Sequence, residues 1–174
     1  MNTSDQYYQV IATCKQLFLK KHLDYGASWQ ILRLTSVTDQ LFIKAKRIRT
    51  IEDTGKNSVQ EPIENEYVGL INYAIIALII LSGGNHEDNI EKYYDQAVVR
   101  AFETYLAKNQ DYGEAWRDMR TSSLTDLILM KILRIRSIED NNGKTIASEG
   151  VDANYIDILN YAVFALIQLG FVKN

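Results

Sequence analysis

Asp157 and Asn160 stand three residues apart in a segment otherwise dominated by Ile, Leu, Val, Phe and Ala. That spacing puts both on one face of a helix. A carboxylate in apolar surroundings is costly unless a cation, a metal ion or hydrogen-bond donors neutralise it. Asp157 therefore either closes an internal salt bridge, with Lys131 or Arg134 as partner, or serves as a ligand for Mg²⁺. That ion takes a few carboxylates and completes its shell with substrate phosphates. Asp152, with Glu149 before it, lies at the entrance of the same helix and could add oxygen ligands. It reads equally well as an ordinary N-terminal acid. Asp126 is a third carboxylate for a metal or phosphate site, and its competing role is to complete a helix capping box.

Lys131 and Arg134 follow Asp126 in the second half of the same helix. About 60° apart around that helix, they could grip one phosphate, and arginine suits bidentate phosphate contacts. A solvated basic face near a helix C-terminus is the plainer alternative. Upstream, Asp111-Tyr112-Gly113-Glu114-Ala115-Trp116 sets a carboxylate, a phenol and an indole beside a glycine turn. Tyr112 and Trp116 offer aromatic faces on which a base can stack. They could also simply close the core while the glycine caps a helix.

These residues recur. Asp24, Tyr25 and Trp29 match Asp111, Tyr112 and Trp116, and Asp39, Lys44 and Arg47 match Asp126, Lys131 and Arg134, all at a constant offset of 87. After one inserted residue the offset becomes 88, so Asn72-Tyr73-Ala74 matches Asn160-Tyr161-Ala162. A spaced pattern holding one register over this length marks a tandem duplication, with repeats at residues 1–84 and 85–174. The copies differ at one informative point: Asp157 corresponds to Gly69. The second repeat is thus the better candidate for an active site, and the first-copy residues are its weaker equivalents.

Each repeat reads as three main helices. The first covers about 5–23 and 89–108, with apolar positions at helical spacing. The second starts at Ser36 or Ser123, where Ser-x-x-Asp resembles a capping box, and ends near Ile-Glu-Asp. A polar loop holding glycines and the single proline follows. The third helix, about 66–81 and 154–169, is apolar nearly all round and belongs at the centre. No period-two strand pattern is present. The predicted fold is all-α, a three-to-four-helix unit duplicated and packed as a pseudo-two-fold bundle in which each small unit shares its core with the other.

Composition narrows the function classes. Nineteen Lys and Arg against 22 Asp and Glu give a net charge of -3, unsuited to coating a nucleic-acid duplex or an anionic membrane. The single cysteine, Cys14, excludes an internal disulfide framework and fits a reducing compartment. The N-terminus lacks the blocks of a signal peptide, so a cytoplasmic protein is expected. The stretch 67–81 is short of a membrane span and interrupted by Asn72. Two histidines and one cysteine give no zinc cluster, and no phosphate-binding glycine loop is present.

Asp-Tyr-Gly-x-x-Trp, then Thr-Asp-x-x-x-x-Lys-x-x-Arg-Ile, then Asn-Tyr-Ala resembles the nucleotide-modification-associated domain of the first type, a bacterial and phage family, once per repeat. More remotely the helical layout is similar to the MazG-like all-α nucleoside triphosphate pyrophosphohydrolases. Those hold Mg²⁺ with Glu-x-x-Glu and Glu-x-x-Asp motifs, which the Asp126 and Asp157 helices lack. The resemblance implies a small-molecule nucleotide as ligand. Two readings result. In one, a Mg²⁺-dependent nucleotide phosphohydrolase holds metal on Asp126, Asp152 and Asp157, phosphate on Lys131 and Arg134, and base on Tyr112 and Trp116, with Asp111 and Asn160 as further polar groups. In the other, the chain is a non-catalytic helical binding or assembly module. Further self-association to a homo-oligomer is compatible with either.

Overall fold

The computed structural model describes residues 2–83 and 87–172, and within them every regular element is helical. Six long helices follow one another: α1 (Thr3–Tyr25), α2 (Leu34–Thr54), α3 (Ile63–Ser82), α4 (Ile90–Tyr112), α5 (Thr121–Asp140) and α6 (Val151–Gln168). A 3-10 turn carries Trp29 between α1 and α2, and another carries Trp116 between α4 and α5. The repeat boundary at 84/85 and His86 lie outside the described residues.

The expected ends of α1 and α4 are realised by Gly26 and Gly113, whose φ of 63° and 57° suit glycine. Each glycine N–H closes back on the residue four earlier, His22 O or Asn109 O. The capping boxes at Ser36 and Ser123 are not formed. Both helices start two residues earlier, capped by the extended backbone of Arg33 and Arg120 with no side-chain cap. The serines sit inside the first turn, and the aspartates three residues on are drawn across to the other repeat.

Helices α2, α3, α5 and α6 form the centre, with α1 and α4 laid across α3 and α6. The apolar character of α3 and α6 is explained by this position, since Leu70, Ile71, Ala74 and Ile75 on one and Ile158, Leu159, Ala162 and Val163 on the other are fully buried. α3 is long and apolar enough to cross a membrane by composition alone. Here it is mostly packed against its neighbours instead.

The two asparagines are structural pins. Asn160 donates to Ala101 O and accepts from Tyr7 Oη at 2.7 Å, while Asn72 donates to Cys14 O and accepts from Tyr94 Oη at 2.9 Å. Cys14 and Tyr7 correspond to Ala101 and Tyr94. One pseudo-dyad therefore relates both pins, and each ties a third helix to α1 and α4 at once.

The Thr-Asp and Ile-Glu-Asp motifs meet across that dyad. Thr38 on α2 donates to Glu139 on α5 at 2.8 Å and bonds Tyr155 Oη at 2.7 Å. Thr125 on α5 donates to Glu52 on α2 at 2.9 Å and bonds Tyr67 Oη at 2.8 Å. Beside them Arg136 bonds Asp39 at 2.7 Å and Arg49 pairs with Asp126 at 3.3 Å. The segments that both copies share thus form the inter-repeat seam.

Candidate functional site

Below the seam each repeat opens a cleft between its first helix, its tryptophan turn and its third helix. In the second repeat the cleft is about 370 Å³, lined among others by Lys108, Tyr112, Trp116, Asp157, Tyr161 and Phe164. Its floor is apolar and aromatic. Trp116 stacks on Phe164 with ring centroids 4.5 Å apart, an arrangement that favours both rings beyond their simple burial. Arg117 lies 4.4 Å over the same indole and reaches Thr3 and Gln6 at 2.6 Å, so α1 braces the tryptophan turn of the other repeat. Gln168 donates to Trp116 O and Met119 O and fixes the turn's backbone.

The charge in this cleft centres on Asp157. Its side chain is 6% exposed, and its two oxygens are taken by Lys108 Nζ at 2.6 Å and Lys131 Nζ at 2.7 Å. Of the two anticipated partners Lys131 is the one engaged; Arg134 projects to solvent and makes no ion pair among the described residues. Burial is the largest single influence on Lys108 and works against its charge, but the hydrogen bond and charge attraction of Asp157, with weaker contributions from Tyr161 and Glu149, together hold the ammonium above its ordinary range. Burial and then the Asp157 carboxylate push the Tyr161 phenol up, while Lys108 and Arg134 pull it the other way. Tyr161 therefore stays a neutral phenol at physiological pH.

The three carboxylates considered for a metal do not come together. Asp126 is on the seam with Arg49, Asp152 is half exposed and pairs with Arg100 at 3.1 Å, and Asp157 is saturated by two ammonium groups. No group of three His, Cys, Asp or Glu side chains able to hold a metal ion exists among the described residues. This donor set does not fit Mg²⁺: each carboxylate would first have to leave a cation. Asp39 is likewise on the seam, and Asp24 and Asp111 are exposed at the ends of α1 and α4. Asn72 and Asn160 line the clefts, but their amides are already engaged by α1 and α4.

The first repeat has a cleft of about 360 Å³ in the same place, between Lys21, Tyr25, Trp29, Lys44, Gly69 and Tyr73. A shared feature marks both. Four buried side-chain polar atoms lack a partner among the described residues: His22 Nδ1, Trp29 Nε1, Asn109 Oδ1 and Trp116 Nε1. His22 and Asn109 are equivalent positions, as are Trp29 and Trp116, and all four residues line the clefts. An unsatisfied buried polar group costs about 1–3 kcal/mol. The same two positions bear that cost in both repeats.

The match to known families agrees with the repeat. The model of the family described as Nucleotide modification associated domain 1 matches residues 21–81 and again 108–169. This chain belongs to that family. Each matched segment runs from the end of a first helix to the end of a third, so each family unit contains its tryptophan turn, its half of the seam and most of its cleft. No curated protein and no solved structure matches the chain.

Sequence reasoning selected Asp157, Tyr112 and Trp116, which line one cleft, and Lys131, which is joined to that cleft only through its ion pair with Asp157. It passed over Lys108, Asn109 and Tyr161. Lys108 and Tyr161 carried a usable signal, because Lys21 and Tyr73 are the same residues at the equivalent positions. Asn109 carried none, since its counterpart is His22.

Proposed function

We propose that the second repeat binds a nucleotide, with the phosphate held by Lys108, Lys131 and Arg134 and the base by Tyr112 and Trp116. The observation that carries this reading is the Lys108–Asp157–Lys131 cluster at the edge of an aromatic cleft. Two ammonium groups against one carboxylate leave a positive charge, and Arg134 adds a second nearby. An anion is the species such a cluster still attracts. The orphaned Trp116 N–H and Asn109 Oδ1 provide a donor and an acceptor with which a heterocycle can be read.

Binding is better supported than Mg²⁺-dependent hydrolysis, because the carboxylates that would hold the metal are separately neutralised. A cavity beside Asp157 also weighs against a purely structural salt bridge. The family's association with nucleotide modification makes a nucleotide the natural anion to test. Calorimetric titration of the intact chain with nucleoside mono-, di- and triphosphates is the direct experiment, with and without Mg²⁺. Saturable binding lost in Lys131→Ala supports the reading. Absence of binding across the panel, in a chain that melts cooperatively, rejects it.

A further inference from the structure

The two clefts are built alike but charged differently, and the difference begins at one residue. Where Asp157 stands in the second repeat, Gly69 leaves space, and the stem of Lys44 fills it. A Cβ placed on Gly69 would meet Lys44 Cδ and Cε at 2.7 Å. The carboxylate has moved one helical turn back: Glu66 holds the position of Asn154, as Gly69 holds that of Asp157. Glu66 binds Arg47 tightly at 2.7 Å and Lys44 only at 3.5 Å. It is not among the residues lining the cleft, which include Lys21 and Lys44 but no acid among the described residues. Lys21 makes no ion pair among the described residues, whereas its counterpart Lys108 lies 2.6 Å from Asp157.

We infer that the first cleft is a second nucleotide site, and that it takes the more highly phosphorylated ligand. This rests on the reading of the second cleft given above. The orphaned His22 Nδ1 and Trp29 Nε1 show that the first cleft kept buried polar groups without partners among the described residues at the same two positions. Lys21 and Lys44 both line it, with Glu66 held 3.5 Å from Lys44 outside the lining, whereas the second cleft is lined by Lys108 against Asp157, so each added phosphate gains an attraction that Asp157 reduces in the second cleft. One additional half-buried charge contact is worth about tenfold in affinity. The chain would then hold two related nucleotides at different charge states at once.

The two tryptophans separate the sites. Trp116→Phe leaves Trp29 to report the first cleft, and Trp29→Phe leaves Trp116 to report the second. Each single-tryptophan chain is titrated with the four ribonucleoside monophosphates and triphosphates. The proposal expects both indoles to respond, with triphosphate preferred over monophosphate about tenfold more strongly at Trp29 than at Trp116. Gly69→Asp, which offers Lys44 a carboxylate, should erase that excess. Lys44→Gln should do the same without adding bulk to the helix. Response at Trp116 with none at Trp29 overturns the inference and leaves the second-cleft reading standing. Equal phosphate preference at the two sites, or a preference unchanged in both variants, also overturns it. Silence at both indoles removes both readings.

Discussion

Lys131 on α5 and Asp157 on α6 lie 2.7 Å apart, with side chains only 12% and 6% exposed. Lys108 completes the cluster from α4, so three helices of one repeat are tied by a single carboxylate. Removing the acid leaves Lys131 as an uncompensated buried charge, while Lys108, half exposed, can rehydrate. Asp157→Asn should therefore destabilise the chain by about 1–3 kcal/mol in denaturant melts. The same change should tighten phosphate binding severalfold, because the competing anion is gone. Loss of binding at unchanged stability would instead mark Asp157 as a ligand-contacting group.

Asp126 gives the opposite expectation. Its contact with Arg49 is exposed on both sides, a kind of pair worth about 0–1 kcal/mol. Asp126→Ala should change stability by no more than that and leave nucleotide affinity as it was. A large loss of affinity would place Asp126 in the site and contradict its assignment to the seam.

The seam makes a pH prediction. Burial raises Glu52 and Glu139 above the ordinary carboxyl range, against the opposing effect of their Thr125 and Thr38 hydrogen bonds. A carboxyl raised on folding binds its proton more strongly in the folded chain than in the unfolded one. Its contribution to stability is therefore greatest at low pH and falls as pH rises from the ordinary glutamate value near 4.5 through the folded value. The Glu52→Gln, Glu139→Gln double variant should show a flatter stability–pH curve across that window. A slope that stays the same assigns the dependence to other groups.

Much of this was legible in the sequence, and the remainder was hidden for a definite reason. The duplication, the helices and their glycine ends follow from periodicity and local chemistry, and the cost of a buried acid narrowed the partner of Asp157 to Lys131, Arg134 or a metal ion, of which Lys131 is the one engaged. The seam does not follow in this way. Thr38 finds Glu139, and Asp39 finds Arg136, only once the pseudo-dyad is known, and sequence spacing alone made the same residues look like a capping box. The orphaned indole N–H groups were equally out of reach, because an unsatisfied atom is defined by everything around it.

Cys14 offers a probe of the core that both repeats share. It is fully buried, and burial pushes its thiol up to about 12. Thiolate is the reactive form, so alkylation at pH 8 should be negligible in the native chain and should track global unfolding in denaturant. Rapid labelling of the native protein would mean that α1 opens locally from α3 and α6.

A nucleotide in the second cleft would meet the indole N–H of Trp116, which is buried there with no acceptor among the described residues. In ¹⁵N–¹H correlation spectra its resonance, assigned through Trp116→Phe, should move on adding a nucleotide and become slower to exchange with solvent. The same ligand should leave it unmoved in Lys131→Ala at equal concentration. An indole resonance of Trp116 that never shifts, at saturating levels of every nucleoside mono-, di- and triphosphate tested, would contradict a nucleotide in this cleft.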